Sequence, residues 1–369
     1  MTPPSPAHDY GEDAAIEQPA IQLFASMGWE TVNLYNEWAS GKSTEGRQSE
    51  REIVLEARLR SAIERLNPGL PPSAIDQAVE EVTLDRSRMI PVNANRELWA
   101  LMRDGVKVRV VDDRGRAETR TVRIVDWRNP EANEFLLASQ FWVKGDMHRR
   151  RPDLIGFVNG LPLLVVELKK FSVPVKAAYD DNLTDYRDTI PHLFVPNALI
   201  ILSNGADTKV GSTFAGWQFF SEWKRINDEG EAGIVSLETV IRGMCAKERL
   251  LDLIENFTVF EEANAGLIKK LAKNHQYLGV NRAITEVIRS KDRPEGEAGR
   301  LGVFWHTQGS GKSLSMVFFC QKILRTVPGN WTFVIVTDRQ ELDEQIYKTF
   351  LSTGAVTHTE VHADVAPSA

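Results

Sequence analysis

Cysteine is scarce in this chain, because Cys245 and Cys320 are the only two among 369 residues. Two isolated cysteines form neither a disulfide framework nor a cysteine-based zinc site, so a reducing compartment is expected. The N-terminus has no basic segment followed by an apolar one, and the longest apolar stretches, such as LFVPNALIIL, are too short to span a membrane. These absences predict a soluble, cytoplasmic protein.

The chain also has no excess of basic residues. The 44 lysines and arginines are outnumbered by 51 aspartates and glutamates, which gives a net charge of −7. This balance argues against a surface that binds nucleic acid all over, although it permits a local basic groove. One basic run at residues 148–151, HRRR, is either a solvated loop or a phosphate contact, and Arg150 and Arg151 are candidates for the second role.

The patterns that are present indicate an α/β protein. Residues 13–28, 48–66 and 174–190 have helical spacing, and residues 105–127 indicate two strands around a polar turn. Residues 197–205 indicate a buried strand, residues 232–241 fit either a strand or a helix, and the polar residues 290–302 indicate a linker before another strand. No internal repeat or low-complexity segment interrupts this mixed order.

The segment RPDLIGFVNGLPLLVVELKK, residues 151–170, predicts a hairpin whose charged ends meet. Asn159-Gly160 favours a tight turn between two apolar strands. Because side chains alternate along a strand, Glu167 and Lys169 point to one side, and Asp153 starts the partner strand. Two carboxylates and an ammonium group suit metal-dependent phosphodiester hydrolysis, as in the PD-(D/E)xK nuclease motif. The alternative is a Pro-Asp turn and a harmless ion pair.

A second segment, LGVFWHTQGSGKSLSMVFF, predicts a phosphate-binding loop between a short apolar strand and an apolar helix. In this interpretation the glycines allow close backbone approach, Lys312 reaches the β- and γ-phosphates, and the Ser313 hydroxyl is a ligand of Mg²⁺. His306 occupies the position of the first glycine of the strict pattern, as in superfamily 2 helicases. The alternative is a flexible loop. The candidate phosphate-loop residues are Thr307, Gln308, Gly309, Ser310, Gly311, Lys312 and Ser313.

Taken in order, these segments resemble one family, the restriction (motor) subunit of Type I restriction enzymes. The resemblance extends over nearly the whole chain through AIEQPAIQLFASMGW, GRQSEREIVLEARLRSAIERLNP, RRPDLIGFVNGLPLLVVELKK, IPHLFVPNALIILSNG, NHQYLGVNRAI, GVFWHTQGSGKS and VTDRQELDEQI. It implies a PD-(D/E)xK endonuclease domain, a mixed sheet flanked by helices, at residues 1–255. The first part of a RecA-like superfamily 2 translocase domain would follow at residues 256–369.

The resemblance also implies the activity and its participants. Such a subunit cleaves double-stranded DNA with Mg²⁺, moves DNA with ATP, and works with methyltransferase (modification) and specificity subunits. It implies Asp153, Glu167 and Lys169 as the nuclease triad, with Glu17 as a further acidic residue near the metal. Glu17 fits an exposed helix carboxylate equally well.

Three further matches come from the same resemblance. Gln276 matches the glutamine that reads adenine, since its amide offers both a donor and an acceptor. Arg339, after a buried strand, matches a DNA-strand contact, although helix capping and salt bridges explain it nearly as well. Tyr186, a further catalytic candidate, matches the tyrosine of a Gln-x-x-x-Tyr pattern. Asn182, a candidate contact to DNA, replaces the glutamine of that pattern, which raises the question of whether the shorter amide reaches the nuclease site.

Other functions stay open at this point. The chain ends before any acidic Walker B segment, so we expect a fragment that neither hydrolyses ATP efficiently nor translocates by itself. The alternatives are a Type III-like or repair helicase-nuclease, and a nucleotide-binding interaction module whose hairpin is only structural. The DNA recognition sequence and the cleavage position are not encoded in these motifs.

Overall fold

The computed structural model describes residues 13–111, 115–294 and 299–356. They fall into two compact units: the first contains residues up to Ile226 and Gly233–Leu251, and the second contains Asn227–Ala232 and the residues from Asp252 onward. No helix in the described ranges combines the length and the apolar character that a membrane crossing requires.

The strands, in chain order, are β1 (Glu30–Asn33), β2 (Val106–Val111), β3 (Ala117–Val122), β4 (Phe135–Ser139), β5 (Val143–Lys144), β6 (Arg149–Arg150), β7 (Leu154–Val158), β8 (Leu161–Leu168), β9 (Leu199–Ser203), β10 (Thr208–Ser212), β11 (Thr258–Ala263) and β12 (Gly266–Leu271). The α-helices are α1 (Gln18–Ser26), α2 (Glu56–Leu66), α3 (Pro72–Thr83), α4 (Pro91–Asp104), α5 (Thr184–Thr189), α6 (Leu237–Met244), α7 (Lys247–Asn256), α8 (Asn274–Ser290), α9 (Lys312–Thr326) and α10 (Gln340–Ser352). Two segments are π-helical, Asp13–Glu17 and Ala178–Leu183.

The first unit is built on a six-stranded mixed sheet with the order β1-β4-β7-β8-β9-β10. The β1-β4 and β8-β9 pairs are parallel, and the other neighbours are antiparallel. Strands β4, β7, β8 and β9 are buried at every residue, which explains their continuous apolar runs. The predicted α/β class and mixed sheet with helices are therefore correct.

Several local predictions for the first unit are refined by the structure. The strands predicted at residues 105–127 form the antiparallel pair β2-β3, and Asp112, Asp113 and Arg114 of the predicted turn lie outside the described residues. The segment at residues 232–241 contains a helix, because Ser236 Oγ accepts a hydrogen bond at 3.0 Å from the amide of Thr239 and so caps α6. Residues 197–205 contain the buried strand β9, as predicted.

The helix predicted at residues 48–66 is shorter than expected. It begins only at Glu56, and turns precede it. The amide of Leu55 donates at 2.9 Å to the carbonyl of Gly160 in the β7-β8 turn, and Arg47 donates at 3.0 Å to the carbonyl of Glu52. The Leu55–Gly160 hydrogen bond is long-range, and both bonds use backbone groups that a longer helix would have paired internally.

The second unit contains the β11-β12 hairpin and helices α8, α9 and α10. The strands predicted before the glycine loop and before Asp338 are wrong for this structure, since residues 301–307 and 331–337 form no ladder. Val303 and Val336 are 93% and 86% exposed instead of buried. A parallel strand takes its hydrogen bonds from neighbouring strands, and no described strand pairs with either segment.

Candidate functional site

The β7-β8 hairpin brings the predicted nuclease residues to one end of the sheet. Its turn has the predicted form, since Asn159 and Gly160 have φ values of 49° and 78°. The Asn159 amide donates to the carbonyl of Ile124 and to Oδ1 of Asn133, both at 2.9 Å. A Cβ on Gly160 would lie 2.5 Å from the carbonyl oxygen of Leu55. The turn therefore requires Asn159 for its hydrogen bonds and its left-handed conformation. It requires Gly160 because a side chain there would clash with the backbone of Leu55.

Asp153 and Glu167 lie at the opposite end of the hairpin from this turn. Leu154 pairs with Val166, so the next positions along the two strands are Asp153 and Glu167. Asp153 Oδ2 accepts a hydrogen bond at 2.6 Å from the amide of Leu168, which anchors the carboxylate next to Glu167. The two acidic residues, fourteen apart in sequence, are thus neighbours in space.

The carboxylate of Glu167 is buried, and its two oxygens have different surroundings. Oε1 accepts hydrogen bonds from Asn182 Nδ2 at 2.5 Å and from Tyr186 Oη at 3.2 Å. Lys169 Nζ lies 3.9 Å from the same oxygen. Oε2 is buried without a hydrogen-bond partner. A buried acceptor without a partner costs free energy, so Oε2 marks a place where a positive ligand would be stabilised.

Burial raises the pKa values of Glu167 and Tyr186. Desolvation raises the pKa of Glu167, and the nearby charge of Asp153 raises it further, while Lys169 lowers it. Desolvation also raises the pKa of Tyr186 well above its usual range, so its phenol remains a donor. A cation between Asp153 and Glu167 would remove the repulsion that raises the pKa of Glu167.

Asn182 reaches Glu167 from a π-helical turn. The turn Ala178–Leu183 leads directly into α5, which carries Tyr186. Asn182 Nδ2 also lies 3.4 Å from Tyr186 Oη, so both residues meet at one carboxylate oxygen. Turns of π-helix are frequent at functional sites because they change where the side chains of a helix point. The shorter amide does make the contact that the sequence left in question.

The three arginines before Asp153 have different surroundings. Arg149 and Arg151 lie over the ring of Trp142, with 3.8 and 5.1 Å between each guanidinium carbon and the ring centroid. Arg150 points elsewhere and forms a two-bond ion pair with Asp185, in which Nη2 lies 2.8 Å from Oδ1. The sequence treated Arg150 and Arg151 alike, and it did not identify Asp185.

Glu17 lies at the end of the first π-helical turn and is buried, which disagrees with an exposed helix carboxylate. The neighbouring Ile16 Cδ1 lies 3.5 Å from the position of a Cβ on Gly205, just after β9. In the described ranges, no group of three or more His, Cys, Asp or Glu side chains is placed to hold a metal ion. The predicted role of Glu17 as a metal ligand therefore stays a prediction.

The candidate phosphate loop lies in the second unit and precedes α9. Gly309 and Gly311 have φ values of 76° and 86°, which favour glycine, and α9 begins at Lys312. Lys312 Nζ donates to the carbonyls of His306 and Thr307 at 2.9 and 3.1 Å, while Gln308, Ser310 and Ser313 complete the loop. The ammonium group thus folds over the loop that would surround a phosphate.

Two residues of α8 hold this loop. Gln276 Nε2 donates to the carbonyl of Gly311 at 3.0 Å, and its Oε1 accepts from the amide of Lys273 at 2.9 Å. His275 Nε2 lies 3.0 Å from the carbonyl oxygen of Ser310. The role of Gln276 in reading adenine stays a prediction. The sequence did not indicate His275, although it directly precedes Gln276.

His306 and Arg339 complete the set of predicted residues. His306 Nε2 lies 2.7 Å from Oε1 of Glu229, which the sequence did not identify. Arg339 precedes α10 and its side chain is 78% exposed, with Nε 3.9 Å from Oδ2 of Asp338. This exposure leaves Arg339 accessible, and its predicted contact with DNA stays a prediction.

Comparisons with known proteins match two families to this chain. The family described as Type I restriction enzyme R protein N terminus matches residues 9–219, and the family described as SWI2/SNF2 ATPase matches residues 275–366. The chain is 37% identical over 355 residues to the Type I restriction enzyme HindI endonuclease subunit of Haemophilus influenzae. This match covers 91% of this chain and 32% of that protein.

Two more distant relatives extend the comparison. The putative type I restriction enzyme MjaIXP endonuclease subunit of Methanocaldococcus jannaschii is 30% identical over 374 residues, covering 92% of this chain and 34% of that protein. The Type I restriction enzyme SsaAORF53P endonuclease subunit of Staphylococcus saprophyticus is 23% identical over 352 residues. This match covers 95% of this chain and 34% of that protein. The chain spans about a third of the length of these relatives. On these matches, the chain belongs to the Type I restriction enzyme R protein family, in the region that the family describes as its N terminus.

Proposed function

We propose that the first unit carries a metal-dependent nuclease site of the PD-(D/E)xK type within a Type I restriction endonuclease subunit. Asp153, Glu167 and Lys169 are its catalytic residues. The observation that supports this most directly is the pair of carboxylates from adjacent strands, with a buried Glu167 oxygen that has no hydrogen-bond partner. The relatives that match are named as endonuclease subunits of Type I restriction enzymes.

Mg²⁺ fits the donor set of this site. Asp153 and Glu167 offer hard carboxylate oxygens, and Glu167 Oε2 is buried and unpartnered. Asn182 and Tyr186 hold Oε1 and thereby orient Oε2. A bound Mg²⁺ would polarise the scissile phosphate. Lys169 would place its ammonium group beside the negative charge that develops during phosphodiester hydrolysis.

The second unit, in this proposal, begins an ATP-driven motor that moves double-stranded DNA. Its loop from Thr307 to Ser313 would bind the phosphates of ATP through backbone amides and Lys312. The match to the SWI2/SNF2 ATPase family over residues 275–366 supports this role. The nuclease domain would end near residue 255 and the RecA-like domain would begin at residue 256. Methyltransferase and specificity subunits would be the partners, in the cytoplasm.

The test separates the nuclease site from the motor. In the full-length subunit assembled with its partner subunits, Glu167→Ala and Lys169→Ala should each abolish DNA cleavage and leave ATP hydrolysis intact, because the two reactions use different sites. Lys170→Ala, a change of the adjacent lysine, is the matched control. Cleavage at the wild-type rate by both Glu167→Ala and Lys169→Ala would refute the nuclease assignment.

A further inference from the structure

The basic run before Asp153 has two faces. Residues of an extended strand point alternately to opposite sides, and β6 contains Arg149 and Arg150. Arg149 and Arg151 accordingly lie over Trp142, whereas Arg150 points to the other side. There it meets Asp185, with Nη2 at 2.8 Å from Oδ1 and a second, shorter bond from Nε to Oδ2. Arginine and carboxylate are geometrically matched in such a pair.

Asp185 belongs to α5, whose Tyr186 contacts the catalytic glutamate Glu167 on β8. It lies one residue before Tyr186 and three residues after Asn182, and both of these bond to Glu167 Oε1. The ion pair lowers the pKa of Asp185 through its hydrogen bond with Arg150, so the carboxylate is charged at neutral pH. Arg150 is therefore linked to Glu167 through one short helix, without contacting the site itself.

A second contact joins the same two elements. The turn between β5 and β6 contains Gly145, whose amide donates to the carbonyl of His148 at 2.8 Å. A Cβ on Gly145 would lie 2.0 Å from the carbonyl oxygen of Thr189, the last residue of α5. The β5-β6 hairpin thus contacts α5 at its start through Arg150 and at its end through Gly145. The two contacts therefore lie near opposite ends of this short helix.

We propose that Arg150 is a positioning residue for the nuclease reaction: it holds α5 through Asp185 so that Asn182 and Tyr186 orient the Glu167 carboxylate. Arg149 pairs with Glu50, so Arg151, which lies over Trp142, is left as the arginine of the run that meets the phosphates of DNA. The proposal rests on the nuclease function proposed above. It replaces the expectation that Arg150 itself binds DNA.

The experiment uses the full-length subunit in its assembled complex. Arg150→Gln and Asp185→Asn should each lower the maximal rate of DNA cleavage by about 10- to 100-fold, the range typical of groups that orient a catalytic ligand. The dissociation constant for DNA and the slope of its salt dependence should not change. Arg151→Gln is the matched control, and it should weaken DNA binding and reduce the salt slope.

Reversing the ion pair distinguishes positioning from a DNA contact. The double variant Arg150→Asp with Asp185→Arg should recover most of the cleavage rate, and Arg150→Lys should recover part of it. Unchanged cleavage by Arg150→Gln and Asp185→Asn, or weaker DNA binding with no recovery in the reversed pair, would overturn the positioning role. Glu167→Ala is run in parallel: if that variant still cleaves, the nuclease function itself fails, whatever Arg150 does.

Discussion

Asn182 Nδ2 lies 2.5 Å from Glu167 Oε1. The asparagine reaches this oxygen from the π-helical turn Ala178–Leu183, next to the strand that carries the glutamate. The contact leaves Glu167 Oε2 as the unpartnered oxygen of the buried carboxylate. Asparagine is thus able to contact the catalytic glutamate from the position where the Type I pattern has glutamine.

Asn182→Ala should lower the rate of DNA cleavage in the assembled complex by about 10- to 100-fold, since the Glu167 carboxylate loses the donor that orients it. ATP hydrolysis should be unaffected. Asp181→Ala, at the exposed neighbouring position, is the control for the helix itself. An Asn182→Ala complex that cleaves DNA at the wild-type rate would show that this amide does not orient the glutamate.

Asn159→Ala should lower the free energy of unfolding of the first unit by about 3 kcal/mol, because the buried partners of its amide lose their hydrogen bonds. The left-handed φ of 49° adds to this cost in any residue other than glycine, asparagine or aspartate. Urea unfolding followed by circular dichroism measures the change. Asn129→Ala removes an exposed asparagine and should change the stability by less than about 0.5 kcal/mol.

Arg58 of α2 joins three glutamates and should stabilise the fold in a pH-dependent way. Its guanidinium bonds to Glu45 at 2.6 Å and to Glu30 at 3.0 Å, and it also bonds to Glu134. Hydrogen bonding to Arg58 lowers the pKa of Glu30 in the folded state. The resulting stabilisation is present above the unfolded pKa of about 4.5 and is lost as the pH falls through the lower, folded value.

Arg58→Met should therefore lower the free energy of unfolding by about 1.5–3 kcal/mol at pH 7, and by less as the pH falls below 4. Thermal unfolding of both proteins from pH 7 to pH 3 measures the difference. Arg60→Met removes a partly exposed arginine two residues further along α2 that pairs with Asp76, and should cost less than about 1 kcal/mol. A difference that stays constant with pH would contradict the ion-pair explanation.

Lys312→Ala should weaken the binding of Mg-ATP to this chain. We expect a dissociation constant of roughly 10 μM to 1 mM for the unchanged chain. Loss of a charge-assisted contact to phosphate should cost a further 1.5–3 kcal/mol, or about 10- to 150-fold. Isothermal titration calorimetry measures both affinities, and Lys348→Ala, an exposed lysine of α10, is the control. Equal affinities for the Lys312→Ala and unchanged chains would refute the phosphate contact.

The sequence by itself determined the features that depend only on residues close together along the chain. Strand alternation and the Asn159-Gly160 turn predicted the hairpin, because turn conformation and side-chain period are local properties. Local sequence also identified the glycine loop before Lys312, and its glycines adopt positive φ values. An ordered series of such motifs was enough to indicate the family.

Tertiary structure alone decided which partners the charged and polar groups meet. Arg150 and Arg151 are adjacent in sequence, but only the fold brings Asp185, 35 residues away, to Arg150. The fold likewise pairs the amide of Leu55 with Gly160, so that α2 begins at Glu56. It also brings Asn182 within hydrogen-bond distance of Glu167. Residues 301–307 have the composition of a strand, yet they form no ladder, since a strand needs hydrogen bonds from neighbours that its own residues do not supply.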